Sequence, residues 1–233
     1  MLWVFRVMKE LGYPAGRVIT MLAILFIRKT WTMALPSVTQ EATSRPWNQP
    51  CTPYANTDSA IDLNIDPEDA PSILKRLKYK TKETFYHVTY LEKAMALRFN
   101  DAEIVSYLEM KTLPGFPEIP SSQNNTQNKS ASYSEAFVAL SKVAVFLEQM
   151  YSDEDNSDMK YELDDLQSEN FSQLCELQMW LRSTGVNEMF ETPRSVMSHK
   201  LRHAGNTFKR YERDFVVISR YGKLLRRYQH YYN

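Results

Sequence analysis

The sequence predicts an all-α protein in which four long helices pack as one bundle, connected up-up-down-down. Three observations predict it. Four stretches place apolar residues at three- and four-residue steps, no stretch alternates as a strand would, and the connections run long, short, long. A chain of 233 residues is enough for one domain with a real core, or two small ones.

The first residues stand apart. Residues 18–27, VITMLAILFI, form an apolar run of ten, interrupted only by Thr20, after a basic lead. Spanning a bilayer takes about 20 apolar residues. The shorter run suits a secretory signal, with Thr32-Met33-Ala34 offering small residues for a cut after Ala34. Residues 1–34 are therefore expected to be a signal peptide. The long lead and Arg28-Lys29 depart from that pattern, and the alternative is an uncleaved anchor or a buried helix. Residues 35–70, rich in Pro, Ser, Thr, Asn and Asp, read as an extended N-terminal arm, leaving residues 71–233 for the bundle.

From Pro71 the helical period sets in. A first helix carries Leu74, Leu77, Phe85, Val88, Leu91, Met95, Ala102, Val105 and Leu108 on one stripe, with Asn100-Asp101 as a kink or break. Pro114, Gly115, Pro117 and Pro120 end it. The second helix carries Tyr133, Phe137, Leu140, Ala144, Leu147 and Tyr151, and the acidic link SDEDNSD follows. A third carries Leu163, Leu166, Leu174, Leu177 and Leu181 and stops at Gly185. The fourth, after Pro193 and Ser198, carries Leu201, Phe208, Tyr211, Phe215, Ile218, Leu225 and Tyr228. Amphipathic stripes must be buried, and four of them make one core.

Loop length selects the order. The outer connections span about 24 and 15 residues, enough at roughly 3.3–3.6 Å per extended residue to traverse a helix of about 38 Å. The middle one, about eight residues, keeps its two helices antiparallel.

Charge and cysteines narrow the class. The 28 basic and 28 acidic residues balance, but Arg6, Lys9, Arg17, Arg28 and Lys29 fall in the leader, which leaves the remainder mildly acidic. That gives no whole-molecule reason to bind nucleic acid or membrane. Six glycines argue against phosphate-cradling loops, and the chain has no nucleophile elbow, Walker loop or dinucleotide loop. No catalytic residue, metal or cofactor is expected. Asn124, Asn128 and Asn170 open glycosylation sequons, the first two in the polar stretch SSQNNTQNKS and the third on a predicted helix. Cys51 and Cys175 are the two cysteines; in an oxidising compartment such a pair bridges, stabilising by roughly 4–5 kcal/mol, and the alternative is two free thiols.

The last helix, TFKRYERDFVVISRYGKLLRRYQHYY, resembles that of the interleukin-6 family cytokines, nearest the subgroup of leukaemia inhibitory factor, oncostatin M and ciliary neurotrophic factor-like proteins. TYLEKAMALRFNDAEIVSYLEMKTLPGFPEIP looks like that family's first helix and its Pro-rich exit. Cys51 and Cys175 resemble the subgroup's bridge from the N-terminal arm to the third helix, and the subgroup's second bridge has no cysteines here. Phe208 matches the Phe that opens the family's last helix, while the Lys three residues later has become Tyr211, with Lys209 and Arg210 beside it.

The resemblance implies a long-chain four-helix cytokine bundle, secreted and monomeric. It implies clustering of class I cytokine receptor chains of the interleukin-6 type, namely a shared signal-transducing chain and a chain like leukaemia inhibitory factor receptor, to start JAK/STAT signalling. Phe208, Lys209, Arg210 and Tyr211 are then receptor-binding residues, with a second surface on the outer faces of the first and third helices. The departure at Tyr211 bears on which receptor is used.

Blander readings stand beside these. Phe208 can pack beneath the last long loop. The basic residues of the last helix, Lys209, Arg210, Arg213, Arg220, Lys223, Arg226 and Arg227, can attract a receptor, heparan sulfate or nucleic acid, or simply complement the acidic region from Asp153 to Asp165. His199 and His203, four apart, lack a third metal ligand and read as solvated or capping. Trp180 reads as core or a bundle-edge anchor. The competing function is a secreted helical-bundle carrier of an apolar ligand, which needs a hollow interior, or a membrane-anchored adaptor.

Overall fold

Six α-helices occur among the described residues: α1 (Ala70–Ala96), α2 (Ala102–Met110), α3 (Lys129–Asp153), α4 (Ser157–Ser183), α5 (His199–Arg202) and α6 (Thr207–Tyr231). The computed structural model describes residues 45–51, 70–120, 129–186 and 190–232, the side chains of 129–131 excepted, and no strand occurs among them. The expected signal peptide, most of the expected arm, and Asn124 and Asn128 lie outside the described residues.

The predicted break is built by two residues. Asn100 takes a left-handed φ of 50°, a conformation its short polar side chain tolerates. Asp101 then caps α2, its Oδ1 accepting from Glu103 N at 2.8 Å and Ile104 N at 3.3 Å. Ala102, expected on the buried stripe, is exposed because it opens the new helix. Asn156 caps α4 by accepting from Met159 N at 2.9 Å. At the other end Gly185, with φ 82°, turns the chain so that its N–H reaches Arg182 O and that of Val186 reaches Leu181 O.

Two element boundaries differ from expectation. The acidic link of about eight residues shrinks to Glu154, Asp155 and Asn156, because Asp153 and Ser157 already belong to the flanking helices. The fourth helix does not run on from Ser198. It breaks after α5, and Asn206 restarts it by accepting from Lys209 N at 2.8 Å.

Helix α1 lies against α4 and α6, and α3 lies against the same two. Contacts run in opposite order along each pair. Thr81 meets Gln173 while His87 meets Glu162, and Val88 closes on Gly222 while Arg98 covers Tyr211. Tyr133 meets Trp180 while Asn170 reaches Leu140 O, and Asp153 pairs with Arg213 while Tyr133 stacks on Tyr232. Each of these four pairs is therefore antiparallel.

The predicted stripes supply the core: Leu77, Val88, Leu91, Met95, Leu108, Leu140, Ala144, Leu147, Leu163, Leu166, Leu174, Leu177, Phe215, Ile218 and Leu225 are all buried. Through the middle runs a polar network that no apolar pattern announces. Gln173 Nε2 donates to Thr84 Oγ1 at 2.9 Å and to Tyr221 OH at 3.4 Å. Tyr221 donates to Asn170 Oδ1 at 2.9 Å, and Asn170 Nδ2 donates to Leu140 O at 3.2 Å. These groups come from α1, α3, α4 and α6 together, and their mutual satisfaction removes the cost of burying them.

Straps tie the outside. Gly115, with φ 83°, sits so close to the Val196 backbone that an added Cβ would lie 1.8 Å from Val196 O. The segment after α2 thus bears directly on the segment before α5. Ahead of α1, Trp47 is fully buried, donating Nε1–H to Thr192 O at 2.8 Å with the Arg194 guanidinium 5.1 Å over its ring. Cys51 and Cys175 follow as a disulfide-compatible pair, their Cα atoms 4.7 Å apart across 124 positions of sequence.

Candidate functional site

The residues singled out at the start of α6 come together with the α1–α2 break. Phe208 is 50% exposed, and its inner edge meets Phe99 at a ring separation of 6.0 Å, near perpendicular. Phe99 in turn meets Phe215 at 5.7 Å. An exposed ring is thus footed on a buried aromatic pair.

The three neighbours divide their roles. Lys209 is exposed. Arg210 turns inward, donating to Asp153 O at 2.9 Å and Thr207 Oγ1 at 3.3 Å, with Asp155 at 3.7 Å. Tyr211 is half-buried with the Arg98 guanidinium 4.5 Å above its ring. Arg98 donates to Glu154 Oε2 at 3.0 Å, and Glu154 Oε1 accepts from Asn156 N at 3.0 Å, so the α3–α4 link is braced to the end of α1.

Beneath this lies a buried charge cluster. Arg213 pairs with Asp153 at 2.8 Å and Asp214 at 2.6 Å. Burial pushes the Asp214 carboxyl up to about 6, Arg213 opposing the rise.

The basic residues of α6 are largely committed to the fold. Arg210 and Arg213 complement the acidic α3–α4 region, as the blander reading holds. Arg220 donates to Lys111 O at 3.3 Å and Lys223 to Glu109 O at 2.7 Å, satisfying carbonyls at the end of α2. Arg226 covers Phe85 and Arg227 covers Tyr231.

The other candidates resolve differently. Asn170 is fully buried with both amide atoms hydrogen-bonded, so the folded chain has no room for a glycan there. Trp180 packs against Tyr133 as core, with ring centres 3.8 Å apart. His199 and His203 stack at 4.0 Å on the exposed turn of α5, and no group of three metal-ligating side chains occurs among the described residues. No helix among them is long and apolar enough to cross a membrane.

Two features escaped the sequence reading. Phe99 continues the α1 stripe four residues after Met95, a spacing that signals it. Tyr79, Tyr86 and Tyr90, all exposed, follow one another at steps of seven and four, which puts them on a single outer face of α1. Tyr161 is exposed on neighbouring α4. Comparison with known protein families, curated proteins and solved structures finds no match to this chain.

Proposed function

We propose that the chain is a secreted cytokine of the interleukin-6 type. Its four long helices form an up-up-down-down bundle that clusters class I cytokine receptor chains and so triggers JAK/STAT signalling. The pairing of α1 and α3 each with both α4 and α6 supports this order, since in such a bundle parallel helices sit diagonally. The observation that carries the reading is Phe208, half in the protein and half in solvent at the start of the last helix. A large ring held by its inner edge loses little freedom on binding and can fill a receptor pocket. Lys209 adds an exposed cation beside it, while Arg210 and Tyr211 set the shape of its rim. The tyrosine face of α1, with Tyr161 on α4, is the second receptor surface.

The carrier reading needs a hollow apolar interior. The centre of the helices instead holds the Thr84–Gln173–Tyr221–Asn170 network, which favours a packed signalling bundle. The test is STAT phosphorylation in cells carrying candidate receptor pairs. Phe208→Ala is expected to keep the helical spectrum and lose tenfold or more in potency, roughly 1.4 kcal/mol. Full potency with an intact fold removes Phe208 from the interface.

A further inference from the structure

One side chain on the α1–α4 seam has a carboxylate at each of its ring nitrogens. His87 Nδ1 lies 3.2 Å from Glu169 Oε1, and its Nε2 lies 3.0 Å from Glu162 Oε2. The two glutamates stand seven residues, or two turns, apart on α4, so they hold the imidazole from opposite ends along the helix. The ring is mostly sealed, 14% exposed, while each glutamate is 34% exposed. Among the described residues Glu169 Oε2 is buried without a hydrogen-bond partner, and it is Oε1 that meets His87.

The wider surroundings do not substitute for it. On α1, Glu83 and Tyr90 lie a turn to either side, and Lys80 is committed to Glu176 at 2.8 Å. On α4, Asp165 lies between the two glutamates in sequence and is exposed. From α6, Tyr221 approaches Glu169, but its phenol is held well above the usual 10 by burial and stays neutral.

The arrangement is satisfied by one protonation state. Imidazolium carries two N–H groups and donates one to each glutamate; neutral imidazole carries one and turns a lone pair toward the other carboxylate. We propose that His87, Glu162 and Glu169 form a proton-operated clasp, fastened across the α1–α4 seam in mild acid and opened as the proton leaves. The hydrogen bond to Glu169 is the main influence raising His87 above its ordinary 6.5; burial opposes it, and the charges of Glu169 and Glu162 add to it. The clasp therefore contributes its full stability below 6.5 and loses it as pH rises through the raised value. Opening removes the one positive charge between the two carboxylates, leaving the seam beside Tyr86 and Tyr161 more negative by one unit. The clasp operates in the free chain and does not rest on the receptor reading.

The experiment is an NMR titration of the histidine ring protons in the full folded chain. His87→Gln identifies the resonance among the four histidines. The His87 midpoint is expected above 6.5, dropping in the near-isosteric variants Glu162→Gln and Glu169→Gln. Thermal melts between about pH 6 and 8 accompany it. Wild type should lose melting temperature across that range, and His87→Gln should lose less. Asp214, which titrates near 6, is common to both proteins, so the difference isolates the clasp. A midpoint at or below 6.5, an unchanged midpoint in both glutamine variants, or equal melting slopes overturns the proposal.

Discussion

Gly115 shows how much a single atom can decide. Its left-handed φ and its approach to the Val196 carbonyl leave no space for a methyl group, and the obstacle is backbone, which cannot swing aside. Gly115→Ala is expected to destabilise by about 2 kcal/mol or more, measured by urea unfolding. An unchanged midpoint would mean that the two segments do not bear on each other. In the sequence Gly115 reads only as a helix terminator among prolines, because a close approach between distant segments leaves no local trace. The same holds for Asn170 and Gln173. Polar residues on a core stripe look like interruptions until their partners on other helices are known. Glu176, buried under Arg76 and Lys80, is a third such case. Phe208 was legible as a candidate only through the resemblance, which sets a Phe at the head of the last helix, and its footing on Phe99 was not.

The helices themselves were written plainly in the sequence, since burial of one face imposes the 3.6-residue period on every long element. Boundaries were less so. The polar residues at the ends of α3 and α4 resemble a loop by composition, yet they are helical, because end positions face solvent and tolerate charge. The gap between α5 and α6 hides in His203-Ala204-Gly205-Asn206, where a glycine followed by a capping asparagine outweighs the continuing stripe. Capping also governs α2, a short helix with one buried residue, Leu108, to hold it. Asp101→Ala is expected to cost about 0.5–2 kcal/mol. It should show first as faster hydrogen exchange at the Glu103 and Ile104 amides, with α1 little affected. Equal exchange rates in both proteins would assign the start of α2 to packing rather than to the cap.

At the scale of the molecule, sequence distance is bridged by a few ties. The Cys51–Cys175 pair spans 124 positions, and joining ends so far apart restricts the unfolded chain strongly. Cys51→Ser is expected to lower unfolding free energy by about 2–5 kcal/mol while the far-ultraviolet helical signal at rest stays constant. A loss of resting helix would show that the tie shapes α4 rather than restraining its partner state. The even cysteine count made this tie legible. Trp47 was not: an isolated indole in a stretch rich in Pro, Ser and Thr, with Tyr54 seven residues on, carries no period.

That indole doubles as a built-in lamp. It sits fully buried four residues from Cys51, with its N–H engaged by Thr192 and a guanidinium roofing the ring. With Trp3, Trp31 and Trp180 replaced by Phe, lifting the strap away would expose it to water and redden its emission without unwinding a single turn, so colour and ellipticity together tell apart a loosened tether from a melted body.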